Sequence, residues 1–245
     1  MILRRVIEHV KAQNWFAVAI DFAIVVIGVF VGLQVNNWNA ARQQAALGDA
    51  YLVRLSADLS AMEAYLEDMI GQSSMRYDLS VDLLQAASNG DGDGDALVAA
   101  AEAFFTKGWK TPRFTIIDAV YRDLTSTGNL ALIEPDLREK ITMFYADLDI
   151  RREQAQIGRD WSLPNDSRFI IDYDVYRWDL SLARLALADD PVIQRATIIA
   201  AREDLARLAA MSVYIERPLL DDYKTALAGA EALTAAIAGK EKGAP

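Results

Sequence analysis

The chain has 245 residues, no cysteine, one histidine (His9) and a formal charge of −10 from 25 basic and 35 acidic residues. The lack of cysteine excludes disulfides, zinc ribbons, thiol nucleophiles and iron–sulfur sites. A single histidine leaves little material for a Ser-His-Asp triad or for histidine metal ligands. The acidic balance runs against nucleic-acid binding, which needs a basic face to displace counterions from phosphates.

The first element is apolar. Trp15 to Leu33 reads WFAVAIDFAIVVIGVFVGL, 19 residues with one charge, Asp21. That approaches the roughly 20 helical residues a bilayer core requires. It is longer than a signal-peptide apolar region, and no small-x-small cleavage pattern follows it. The expectation is an uncleaved transmembrane helix over 15–35, with Trp15 and Trp38 at the two headgroup levels. Arg4, Arg5 and Lys11 precede it, while Arg42 and the more distant Arg54 follow. The positive-inside rule therefore makes 1–14 a cytoplasmic stub and puts 36–240 outside, in the periplasm if the cell is Gram-negative. Removing Arg4, Arg5, Lys11, Glu8 and Asp21 leaves 22 basic against 33 acidic residues, or −11, for that exported part. The competing reading is a buried core helix of a soluble protein.

One line along this helix is patterned. At 100° per residue, Asn14, Asp21, Gly28, Gly32 and Asn39 fall within about 20° of each other's mean direction. Gly28 and Gly32 form G-x-x-x-G, which lets another helix backbone approach closely, and Asp21 on the same line is costly against lipid. Asp21, Gly28, Gly32 and Asn39 are thus candidate interaction residues toward the transmembrane helix of a second copy or of a larger membrane complex. The plainer alternative is a hydrated Asp21 near the interface and a chance G-x-x-x-G.

Helical signals continue without a linker. Trp38, Ala41, Ala45, Gly48, Leu52, Leu55, Leu59, Met62, Leu66 and Met69 alternate at spacings of three and four, the seam of a coiled coil or of one wall of a bundle. Ser73 and Arg76 are expected to end this register, with Tyr77, Val81 and Leu84 resuming it in a shifted phase and a kink near Gly71. NGDGDGD, 89–95, is a loop. A short helix follows from Ala96 to Lys107, N-capped by Asp95. The next is expected from near Phe114 to Gly128, a C′ glycine, then NLALI as an extended connector. Pro135 opens a helix striped by Leu137, Ile141, Phe144 and Leu148 and reaching about Trp161. Ser162 to Asn165 reads as a break, and Ser167 to Ala188 as another helix. After Pro191, Ile198, Leu205, Leu208 and Ile215 mark a last helix that Pro218 should kink or divide. An Ala-rich helix, Leu219 to Ala238, and a disordered tail over 241–245 complete the chain. No strand pattern appears, so the class is all-α: a transmembrane helix continuing into a long helix that packs in an extracytoplasmic helical bundle.

Candidate chemistry is sparse. Asp91, Asp93 and Asp95 stand at positions 1, 3 and 5 of an EF-hand-like loop with Glu102 at position 12, which would suit calcium. Ala96 replaces the turn glycine in that register. Starting instead at Asn89 restores Gly94 but puts Ala100 at the place of the bidentate Glu. The alternative is a solvated turn. DYDVYRWD, Asp172 to Asp179, gathers acids and aromatics, including Tyr176. No partner for an acid–base pair is visible at a telling spacing. Arg151 and Arg152 are expected to pair with nearby acids such as Asp147 and Asp149. The hairpin of 114–150 is an ordinary αα-hairpin, since its charge has the wrong sign for DNA.

LQVNNWNAAR after the span, YLVRLSADL, and DLTSTGNLALIEPDLREKITMFY together make roughly residues 5–150 resemble an uncharacterised family of bacterial single-span membrane-anchored proteins. The resemblance implies a one-span inner-membrane protein with an all-α extracytoplasmic domain, and it carries no activity or functional residues. The resulting expectation is a non-catalytic interaction or accessory protein, not an enzyme, associating through its transmembrane face and its helical domain, with the lipid bilayer and a membrane helix as partners. A periplasmic ligand sensor signalling through a partner is the second class, since only about 14 residues precede the span; a carboxylate-based hydrolase is the third.

Overall fold

The computed structural model describes residues 15–89, 94–108, 113–173 and 195–243. Among them every regular element is helical: α1 (Trp15–Ser88), α2 (Gly94–Lys107), α3 (Ala119–Ser126), a 3-10 turn (Asn129–Leu132), α4 (Pro135–Asp172), α5 (Arg195–Ala200) and α6 (Arg202–Gly243). The chain divides into two compact units, 1–51 and 52–245.

In the first unit, α1 is long and apolar enough to cross a membrane, and the most apolar stretch of it is entirely unburied. Phe22, Ile24, Val25, Ile27, Val29 and Phe30 are 59–70 % exposed. Trp38, Ala41 and Ala45, expected as the start of a packed seam, are exposed as well.

In the second unit the seam of α1 is buried and regular. Leu52, Leu55, Leu59, Met62, Leu66 and Met69 are followed on the same face by Ser73, Arg76, Ser80, Leu83 and Ala87, all buried. The alternation of four and three never breaks, so the phase shift expected at Ser73 does not occur. Tyr77, Val81 and Leu84 are only half-buried, and α1 runs through Gly71 without interruption. The register is maintained because the polar residues at its core positions find partners on other helices, described below.

α6 answers with its own face at the same spacing: Leu205, Ala209, Ser212, Glu216, Leu219 and Tyr223, then Ala226, Ala230, Leu233 and Ile237. Pro218 neither divides nor ends α6. Proline removes one backbone donor, and the carbonyl it would have met belongs to Tyr214, which is 72 % exposed, so the freed acceptor lies on a wet face. Likewise α4 passes through Ser162–Asn165, where a break was expected, with Pro164 on its exposed side. α4 lies along α6. Gly158 packs tightly against α6: a Cβ there would stand 3.0 Å from Ile215 Cγ2 and 3.2 Å from Leu219 Cδ1.

The connection between α2 and α4 differs from expectation in two places. The helix expected from Phe114 starts at Ala119, because Phe114 is buried against Tyr223 with stacked rings 5.6 Å apart. Tyr65 from α1 also binds the backbone there, donating to the Arg113 carbonyl and accepting from Thr115 N. The first turn of α3 is capped across space: Asp58 Oδ2 accepts from Val120 N at 3.0 Å, while Asp118 at the N-cap makes no side-chain cap. Gly128 ends this hairpin arm with φ 75°, the left-handed C′ geometry expected. NLALI is not extended as a whole: Asn129–Leu132 form the 3-10 turn and only Ile133 is extended and buried. Pro135 opens α4 as expected, with Glu134 accepting from Asp136 N and Leu137 N.

α2 begins at Gly94, so Asp95 lies inside its first turn and is not the N-cap. Asp95 pairs with Arg195. At this end Leu83 and Ala87 of α1, Leu97 and Phe104 of α2, Phe169 of α4, and Ile198 and Leu205 close a second apolar core. Arg202 caps the end of α1 by donating to the carbonyls of Ala86 and Ala87. Residues 174–194, which hold Tyr176, Asp179 and most of the expected helix after Ser167, lie outside the described residues, as do the stub 1–14 and Asp91 and Asp93.

Candidate functional site

Two arrangements stand out. The first is the line Asp21, Gly28, Gly32 and Asn39 on α1. All four are exposed, and a Cβ added at Gly28 or Gly32 would meet nothing within 4 Å. At 1.5 Å per residue the line runs about 27 Å along the helix. It offers a flat, open strip with a carboxylate toward one end and an amide at the other.

The second lies in the core of the second unit, and sequence reasoning missed it. Arg76 of α1 has only 2 % of its side chain exposed and meets three helices' worth of acceptors. Its Nη2 lies 2.8 Å from Asp166 Oδ2 of α4 and its Nε 2.7 Å from Glu216 Oε1 of α6. Its Nη1 donates to the carbonyl of Gly108, just past α2. The guanidinium carbon also sits 5.5 Å from the centre of the Phe104 ring. Ser73 Oγ donates to Glu216 Oε2 at 3.0 Å, and Ser80, one turn beyond Arg76, bonds Ser212 at 2.8 Å. One cation between two carboxylates leaves the cluster one negative charge in excess. Burial raises the carboxyls of both Asp166 and Glu216 above the ordinary range, with Arg76 pulling each back. Asp166 Oδ1 and Ser162 Oγ, both buried, meet no partner among the described residues. A cavity of about 20 Å³ adjoins Ser73, Arg76, Ser162 and Glu216, room for one water-sized occupant.

The signal for this cluster was present in the spacing. Arg76 falls on the 3–4 seam of α1, Asp166 three residues before Phe169, and Glu216 between Ser212 and Leu219 on the face of α6. Charged residues at core positions read as interruptions unless the spacing is trusted over the residue type.

The other candidates do not converge on one place. Asp95 and Glu102 both sit on α2, about two turns apart, so a single ion would hold both only if the start of that helix unwound. Among the described residues no three His, Cys, Asp or Glu side chains group around a point. Asp172 is on the exposed end of α4, paired with Arg168. Arg151 and Arg152 pair as expected: Arg151 with Asp147 at 2.7 Å and also with Asp222 of α6 at 2.6 Å, Arg152 with Asp149 at 2.8 Å. No family model matches the chain, and no curated protein or solved structure matches it either.

Proposed function

We propose that the chain is a single-span membrane-anchored interaction protein, with its N-terminus in the bacterial cytoplasm and a non-catalytic helical bundle in the periplasm. The observation that carries the reading is the division of α1. From Ala19 to Leu47 its apolar side chains are exposed on every side, and from Leu52 it buries one regular face. A face of Ile, Val and Phe open all round is at home in lipid. The basic residues before the span set the orientation. The line of Asp21, Gly28, Gly32 and Asn39 is where a second membrane helix, of another copy or of a larger complex, would pack. The resemblance in NNWN and TGNLALI supports the same location.

Membrane fractionation with carbonate extraction, together with protease accessibility in spheroplasts, tests the placement. The chain should stay with the membrane pellet, and its body should be cleaved only from outside. Extraction by carbonate, or protection of the body in spheroplasts, refutes it. For the association, Gly28→Leu with Gly32→Leu should abolish co-purification of differently tagged copies if the partner is a second copy. Undiminished recovery refutes self-association through this face.

A further inference from the structure

α4 is apolar on two sides. Toward the core it presents Leu137, Ile141, Phe144 and Leu148, then the small or polar Ala155, Gly158, Ser162 and Asp166 before Phe169. On the opposite side stand Met143, Ile150, Ile157 and Ile171, exposed by 64, 57, 72 and 72 %. With Pro164, also exposed, they form an unbroken series seven residues apart, about 42 Å long at 1.5 Å per residue. Single exposed apolar residues are ordinary. A heptad series is a path: residues seven apart drift about 20° per step on a straight helix, and a second helix following that drift winds left-handedly around the first. A helix apolar on both sides is one that is covered on both sides.

The flanks of the stripe say what covers it. Within about 60° of that path lie the carboxylates of Asp136, Glu139, Asp147, Glu153 and Asp160. The cations within that band are Lys140, at its start, and Arg168, which is engaged with Asp172 at 3.1 Å. Glu139 and Glu153 make no ion pair among the described residues. A second copy docked on this face would set carboxylates against carboxylates, and an anionic bilayer would be repelled. We infer that the outer face of α4 is a docking surface for a basic amphipathic helix of another protein, its apolar residues seated along Met143–Ile171 and its Lys or Arg residues against the flanking acids.

The inference rests on the reading of the chain as an interaction protein and names the partner its helical domain would take. The anchor test above probes α1 alone, so either can fail with the other intact. The probe is a synthetic helical peptide of about 28 residues with leucine at the seam positions and lysine beside them, compared with a twin in which glutamate replaces lysine. Binding is measured by fluorescence anisotropy to the full chain in zwitterionic nanodiscs, against empty nanodiscs. The lysine peptide should bind, less tightly as salt rises, and the glutamate twin should not. Ile150→Gln with Ile157→Gln should weaken binding roughly tenfold or more. Glu139→Lys, Glu153→Lys and Asp160→Lys together should exchange the preference, so that the glutamate peptide binds instead. All five positions are exposed, and unchanged circular dichroism melts show that the fold is kept. Equal binding of the two peptides, binding of neither, or indifference to the substitutions overturns the proposal. Dimers lost on Ile150→Gln with Ile157→Gln would assign the stripe to a second copy and overturn it too.

Discussion

Replacing Arg76 by methionine removes the single cation that two buried carboxylates share. The side chains of Asp166 and Glu216 are 2 % and 5 % exposed, so bulk water cannot take its place. Breaking a buried pair by deleting one partner costs about 3–5 kcal/mol. Part of that sum is the Gly108 carbonyl, which loses its donor at about 1–3 kcal/mol. For a chain of this size the loss corresponds to a melting point about 6–20 °C lower at neutral pH. The deficit should shrink as pH falls: the orphaned carboxyls, raised further without Arg76, accept protons in the folded form before the unfolded form does. A triple variant, Arg76→Met with Asp166→Leu and Glu216→Leu, removes the stranded charges too. Replacing a whole buried ion group by apolar side chains ranges from neutral to about 1–4 kcal/mol stabilising. Set against the unpaired Gly108 carbonyl, the triple variant should come out within about 2 kcal/mol of the original chain. Thermal and urea melts followed by circular dichroism, in detergent, read both. A single variant within about 1 kcal/mol of the original, or a triple variant as damaged as the single, refutes the argument that stranded charge dominates.

Three further outcomes follow from the geometry. Because burial raises Asp166 and Glu216, their contribution to stability is fully present below the ordinary carboxylate range and is lost as pH rises through it to their raised values. Asp166→Asn, whose amide oxygen can still accept from Arg76, should change stability at pH 7 by no more than about 1 kcal/mol while flattening that slope; an unaltered pH profile counts against the assignment. Asp58→Ala should cost about 0.5–2 kcal/mol by uncapping α3 at Val120, and amide exchange should speed up locally at residues 119–121; equal exchange there would show that the cap is idle. Gly158→Leu should destabilise by about 1–3 kcal/mol, since its Cβ alone would already press on Ile215 and Leu219; an unchanged melting point would mean α4 and α6 can separate at no cost.

How far the sequence can be read depends on which force decides each element. The apolar run of α1 and the seam from Leu52 to Met69 are set by apolar periodicity, which is local and visible. So is Gly128, whose positive φ only glycine tolerates well. The failures share a different cause: contact with residues far away in the chain. Pro164 and Pro218 look like helix ends until it is known that their freed acceptors face water. Phe114 belongs to a helix by pattern, yet Tyr223 and Tyr65 hold it in an irregular segment. α3 has its cap supplied by Asp58, 62 residues earlier. The charge cluster is the extreme case. Nothing local marks Arg76, Asp166 and Glu216 as partners, because each is a charged residue standing where a hydrophobe is expected.

A seam of leucine, methionine and alanine repeated every three and four residues has a weakness of its own. Slide one helix along its neighbour by a heptad, about 10 Å, and apolar groups meet apolar groups again. Arg76 abolishes that degeneracy. Moved one heptad along α6, it would face Ala209 or Tyr223 in place of Glu216, and its charge would be stranded. The cluster therefore acts as an axial index mark. It adds little to the depth of the folded state, and makes every other alignment of α1, α4 and α6 expensive.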